Sequence, residues 1–151
     1  MSLERALSQS VKKSLHKSKH CVSKEKPTEE TAPHLRLGRQ GEDIAAEYLT
    51  SCGYEVLARN VSYKWGEIDL VCQYDDEIIF VEVRTRSVGI LLPPEMTVGP
   101  NKLQKLTKSA RTWAESRNYT GFWRIDLLAI TFSNDNSSKI EHIKNITEGI
   151  W

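Results

Sequence analysis

GEIDLVCQYDDEIIFVEVRTR, residues 66–86, decides how the rest of the chain is read. Ile68–Gln73 and Ile78–Thr85 are rich in β-branched and aromatic residues, and Tyr74-Asp75-Asp76-Glu77 between them is a turn signal, so the stretch reads as a hairpin. Centring the turn between Asp75 and Asp76 pairs Tyr74 with Glu77 and, followed back along the strands, sets Asp69 opposite Glu82. Directly opposed β-carbons lie about 5 Å apart. Arg84 then shares a face with Glu82, because strand side chains alternate with period two. Two carboxylates facing each other are destabilising unless something bridges them, and a hard divalent cation with oxygen ligands is the natural bridge. Centring the turn on Asp76 instead would pair Glu82 with Leu70 and send Asp69 to the other face. The pattern alone leaves both registers open, together with an ordinary charged surface hairpin.

Outward from the hairpin, the elements follow in order. Upstream, LGRQGEDIAAEYLTSCG carries Ile44, Ala45, Tyr48, Leu49 and Cys52 on one helical face, with Gly53 as a stop. Gly38 and Gly41 lie in or at the entry of this helix, where each costs up to about 1 kcal/mol. They mark either a loose helix start or a close approach by other atoms. Glu42 borders the apolar face and can lean over a sheet. Tyr54–Asn60 reads as a first strand. Downstream, VGILLPPEMTVGP is an irregular connection broken by proline and glycine. Asn101–Arg117 reads as a second helix with Leu103, Leu106, Ala110, Trp113 and Ala114 inward and Lys102, Lys105, Lys108 and Arg111 elsewhere. Phe122–Phe132 is a fourth strand carrying Asp126, and Ile140–Ile146 an edge strand. The long crossover through the second helix permits the fourth strand to run parallel to the third. One mixed sheet with helices packed on it is the expected α/β fold.

Composition bounds the function. The 151 residues carry a net charge of +1, unevenly spread. Residues 1–34 hold seven Lys/Arg against four Glu, whereas residues 35–151 hold fourteen Lys/Arg against sixteen Asp/Glu. The body is therefore not a basic protein, and nucleic-acid binding would have to come from a local patch or from the tail. Residues 1–34 are dominated by Ser, Lys, Glu and Pro and read as a mobile basic N-terminal extension, with the basic run Lys12–Lys26 and a linker over 23–34. Residues 35–151 read as the folded domain. Cys21, Cys52 and Cys72 make no CxxC pair and no zinc spacing. Cys52 and Cys72 read as small core residues, and an odd count without a framework fits a reducing cytoplasm. No apolar run approaches a membrane span, and no continuous apolar segment follows the N-terminal basic residues, so no secretory signal is expected. His16, His20, His34 and His142 form no cluster. Trp65, Trp113, Trp123 and Trp151 could stack on bases, although Trp113 fits the core of the second helix better. Asp126, beside Arg124 in an apolar strand, reads as a structural carboxylate bonded to nearby donors.

The order helix, three strands, helix, strand, with Asp69-x12-Glu82-x-Arg84 across the hairpin, resembles the restriction-endonuclease-like superfamily and its PD-(D/E)XK motif. The longer blocks GRQGEDIAAEYLTSCGYEVLARN, GEIDLV, FVEVRTRS, the following Lys102 and RIDLLAI resemble the YraN-like family, which is bacterial and similar to Holliday-junction resolvases. The likeness spans about residues 35–148. It implies an αβββαβ core and supports the register that opposes Asp69 and Glu82. It further implies that Asp69 and Glu82 are metal-binding carboxylates, that the Val83 carbonyl adds a ligand, and that Glu42 on the first helix joins the site. Glu67 is placed on the opposite face of its strand and given less weight. The implied cofactor is Mg²⁺ or Mn²⁺, and the implied chemistry is phosphodiester hydrolysis in branched or structured DNA. The third motif position is commonly lysine. Here it is Arg84, and a guanidinium clamps phosphate well but is a poor general base. Lys102 can stand in if the second helix starts near the site. The catalytic set implied is thus Asp69, Glu82, Arg84 and Lys102. Three functions compete: a metal-dependent endonuclease, a non-catalytic nucleic-acid-binding module, and a protein-interaction domain with a residual carboxylate patch. Resolvase-like enzymes act as symmetric homodimers on two-fold substrates, but no dimer face is legible.

Overall fold

A computed structural model describes residues 33–89, 93, 97–135 and 137–147. The basic extension, apart from Pro33 and His34, lies outside them, as does half of the connection between Ser87 and Pro100. Helix α1 spans Pro33–Ser51, so the last two residues of the stretch read as linker belong to it. It is followed by β1 (Glu55–Tyr63), β2 (Gly66–Tyr74), β3 (Glu77–Ser87), α2 (Pro100–Ser116), β4 (Trp123–Phe132) and β5 (Ser138–Ile143). This is the αβββαβ order of a restriction-endonuclease-like core with one more strand. The five strands form one mixed sheet in the order β1-β2-β3-β4-β5. Only the β3–β4 pair is parallel, as the helical crossover allows.

The hairpin turn falls between Asp75 and Asp76. Asp75 takes φ +50°, a left-handed conformation that Asp tolerates better than most residues. Tyr74 therefore pairs with Glu77, and the ladder continues through Leu70↔Val81. That is the first of the two registers considered, and the one in which Asp69 and Glu82 approach each other.

The two helices cover opposite faces of the sheet. Ala45, Ala46 and Leu49 of α1 pack with Leu70, Cys72, Ile79, Val81, Leu128 and Ile130. Leu103, Leu106, Ala110, Trp113 and Ala114 of α2 pack with Ile68, Val71, Ile78, Phe80 and Ile125. The alternation Ile78/Phe80 against Ile79/Val81 shows why β3 is apolar at every position: a central strand between two helix layers is buried on both faces. The expected inward face of α2 is correct in full and gains Ser109. On α1, Ile44 and Tyr48 are only partly buried. Cys52 lies beyond the helix end and is exposed, which corrects its reading as a core residue, while Cys72 is buried as expected. The helix stops where Gly53 takes φ +88°. Tyr54 N–H then donates to Leu49 O at 2.9 Å and Gly53 N–H to Thr50 O at 3.1 Å, satisfying the last carbonyls.

Gly41 explains how α1 reaches the sheet. A β-carbon there would lie 2.0 Å from Thr85 Cγ2, so only glycine allows this contact with β3. Gly38 lies inside the helix and meets nothing within 4 Å, so no close approach accounts for it. Asp126 is fully buried. It accepts hydrogen bonds from Arg124 Nε at 2.9 Å and Asn145 N–H at 2.9 Å, and pairs with His142 Nε2 at 2.9 Å. It is the structural carboxylate expected, tying β4 to the segment after β5.

Candidate active site

The site lies where the β2–β3 ladder opens. Regular pairing ends at Leu70↔Val81. One step further, Asp69 Oδ2 accepts the Val83 N–H at 2.7 Å, so the side chain takes the place of a strand hydrogen bond. A change of strand phase sets this up. Arg59 pairs with Leu70, and both face α1: Leu70 belongs to the core beneath that helix and Arg59 bonds Asp43 on it at 2.7 Å. The next pair on the ladder, Val61↔Ile68, packs on the α2 side. Residues two apart on a regular strand share a face, so both strands switch faces between these pairs. The switch occurs at Asn60, in the left-handed region at φ +50°, and at Asp69 across from it. Asp69 is thereby aimed sideways at β3.

Glu82 occupies β3 beside it. Its side chain is 3% exposed, and Lys102 Nζ approaches its Oε1 to 3.0 Å. Arg84 Nε lies 3.3 Å from the same oxygen. Lys102 is delivered by the first turn of α2, which Pro100 starts and no side chain caps. The condition for Lys102 to join the site, a helix beginning close to it, is thus met. Glu82 Oε2 is buried without a hydrogen-bond partner, and so is Arg84 Nε. A buried carboxylate oxygen with no donor is costly.

The electrostatics record the crowding. Burial, then the neighbouring Glu82 charge, pushes the Asp69 carboxyl up to about 7, against the Val83 N–H; Glu42 adds to the rise and Lys102 opposes it. Burial also raises Glu82 above the usual carboxylate range, although Lys102 and Arg84 pull it down. Asp69, Glu82, Glu42 and Lys102 therefore sense one another, with Glu42 half-buried on α1 and close enough for its charge to act on Asp69. Glu67 is exposed, and its charge is the smallest of the influences named on Glu82, which it raises.

The donor set suits a hard cation. The atoms are all oxygens, one is orphaned, and burial with the Glu82 charge raises the Asp69 carboxyl to about 7, which a bound cation would relieve. Among the described residues no three or more His, Cys, Asp or Glu side chains are grouped to hold a metal. A cation here would therefore rest on Asp69, Glu82 and main-chain oxygen such as that of Val83, with its remaining positions open. His142 is not a candidate ligand, because it is committed to Asp126.

Comparison with known proteins agrees with the sequence blocks quoted above. A family model described as Uncharacterised protein family UPF0102 matches residues 41–130. A UPF0102 protein of Geobacter metallireducens is 41% identical over 113 residues, 74% of this chain and 92% of its own length. One from Syntrophomonas wolfei is 42% identical over 110 residues, covering 72% and 95% of the two chains. A third, from Pelobacter propionicus, is 38% identical over 129 residues, or 82% and 91%. The matched span runs from Gly41 through the hairpin and α2 to Ile130, and so contains Glu42, Asp69, Glu82, Val83, Arg84 and Lys102. The chain belongs to the UPF0102 family, the YraN-like family that its sequence blocks resemble.

Proposed function

We propose that this protein is a nuclease-like, nucleic-acid-binding member of the restriction-endonuclease-like superfamily, acting on branched or otherwise structured DNA with Mg²⁺ or Mn²⁺. The observation that carries the proposal is the buried Glu82 carboxylate, held by Lys102 at 3.0 Å and flanked by Arg84 at 3.3 Å, next to an Asp69 whose proton affinity is raised to about 7. A purely structural carboxylate is fully paired, as Asp126 is. Glu82 keeps one oxygen free.

Asp69, Glu82 and the Val83 carbonyl would hold the ion, with Glu42 acting on it from α1, directly or through water. When bound, Mg²⁺ supplies an acidic water and neutralises charge on the phosphoryl oxygens. The chain's own residues do the rest. Arg84 leaves Glu82 to take a phosphate oxygen in bidentate fashion. Lys102 provides the ammonium that arginine at position 84 does not, orienting water and balancing charge in the transition state. A guanidinium is a poor general base, so Arg84 is not given that role. The free thiols of Cys52 and Cys72 suit a reducing cytoplasm.

The test combines calorimetric Mg²⁺ and Mn²⁺ titration with cleavage of four-way, single-stranded and linear duplex DNA by the natural protein, Asp69→Asn and Glu82→Gln. The proposal predicts metal binding lost in both variants with the fold retained. Unchanged metal affinity in both removes the site. A second reading, a nucleic-acid-binding module without cleavage, is favoured by arginine at position 84. It is distinguished by DNA binding without any metal-dependent product.

A further inference from the structure

Trp65 stands at the tip of the β1–β2 hairpin, 37% exposed, one residue before the strand that carries Asp69. Its indole N–H donates to Thr112 Oγ1 at 3.4 Å, which fixes the ring against α2. Two ammonium groups lie over the ring, Lys64 Nζ at 3.9 Å and Lys108 Nζ at 5.8 Å from its centre. On the same helix, Lys105 stands next to the start of β2, where a β-carbon on Gly66 would lie 3.7 Å from the Lys105 β-carbon. Lys102, Lys105 and Lys108 thus form a ridge at three-residue spacing, rising about 4.5 Å per step, from the Glu82 carboxylate to the Trp65 ring. Among the described residues no carboxylate pairs with Lys64, Lys105 or Lys108, unlike Lys102.

The sheet body is not basic overall, so a line of lysines running from the Lys102–Glu82 pair to an exposed indole is a local feature with its own chemistry. Cations alone would suit any polyanion. A half-exposed aromatic plane beside them adds a surface for a base, and base–aromatic stacking is open only to an unstacked nucleotide. At about 3.4 Å per residue, β2 places Trp65 roughly 13 Å from Asp69, the span of about four nucleotides at helical rise.

We propose that Trp65 is a stacking platform for an unpaired base of the bound nucleic acid, with Lys105 and Lys108 holding the phosphates that lead from it to the Asp69–Glu82 site. Lys64 covers the ring in the free protein and moves to a phosphate when the base arrives. The surface therefore selects DNA with a single-stranded or splayed segment beside the reacting phosphate. This rests on the function proposed above.

The test measures binding of the full chain to fluorescein-labelled single-stranded 20-mer DNA and to a duplex of the same length, by anisotropy in Ca²⁺ at several salt concentrations. Trp65→Ala should weaken single-strand binding by roughly 5- to 150-fold and duplex binding far less. Trp65→Phe should recover most of the loss. A 20-mer with an abasic run should bind the natural protein as weakly as the normal strand binds Trp65→Ala. Lys105→Ala/Lys108→Ala should lower the single-strand salt slope by about 1.4. Metal affinity should be unchanged in every variant. Equal binding by the natural protein, Trp65→Ala and Trp65→Phe overturns the platform and leaves the proposed function standing. No nucleic-acid binding by the natural protein, single-stranded or duplex, overturns both.

Discussion

Replacing Asp69 by asparagine tests the physics of the site without needing a substrate. The Val83 N–H bond at 2.7 Å survives, because an amide oxygen accepts it as a carboxylate does. What changes is the proton balance. Burial and the Glu82 charge raise the Asp69 carboxyl from 3.8 to about 7. The folded protein then keeps a proton at pH values where the unfolded chain has lost it. Stability therefore falls as pH rises from about 4 to about 7 and levels off above, with a slope of up to about 1.4 kcal/mol per pH unit. Between pH 5 and pH 7 the natural protein should lose about 2.3 kcal/mol from this group alone, an upper bound because water entering the site screens the pair. Asp69→Asn should remove this group's share of the slope and be the more stable form at pH 8 in the presence of a chelator. Excess Mg²⁺ should reverse the order, because only the natural protein gains by binding it. Urea unfolding at pH 5, 6, 7 and 8, with chelator and with Mg²⁺, measures all of this. Parallel pH profiles for the two proteins would refute the reasoning, since they would mean that Asp69 carries no unbalanced charge.

Arg84→Ala should weaken DNA binding more than metal binding, whereas Arg84→Lys should keep the fold and raise Mg²⁺-dependent cleavage; strong cleavage unaffected by Arg84→Ala would assign the transition-state cation to Lys102 alone. Asp126→Asn should destabilise the fold by about 3 kcal/mol in urea unfolding, because it weakens a buried network joining Arg124, His142 and Asn145, while metal affinity stays unchanged. Although burial pushes Asp126 up, its bonds to His142, Asn145 N–H and Arg124 hold it below the usual carboxylate range. Its contribution is thus present at neutral pH and lost as pH falls below about 4, a loss the Asn variant should not show. Gly41→Ala should cost about 1–3 kcal/mol despite alanine's better helix propensity, since the new methyl would sit 2.0 Å from Thr85 Cγ2; the paired variant Gly41→Ala/Thr85→Ser removes that methyl and should recover most of the loss.

The architecture was legible in the chain itself because it rests on local signals. The period of α2's apolar face, the all-apolar centre of β3 and the Asp75–Asp76 turn each report their own surroundings, and together they prescribe helix, hairpin, crossover and parallel strand. Glycine 53 was legible for the same reason: a helix end needs a left-handed residue, whatever lies nearby. Periodicity could bring Asp69 near Glu82 but could not choose between two registers, since both satisfy the alternation locally; the ladder through Leu70↔Val81 decides between them. Other features depend on atoms distant in sequence. The change of strand phase at Asn60 and Asp69 is set by which helix each side of two paired strands packs against. The reach of Lys102 to Glu82 depends on where α2 begins after a connection of no regular pattern. The meaning of Gly41 required knowing that Thr85 lies beneath it. Cys52 was misread because the helix ends at Ser51, so Cys52 falls in the turn leading to Gly53 rather than on the apolar helical face. A sequence records the preferences of each segment; contact between segments, and hence the charge balance of a site built from four of them, exists only once they are packed.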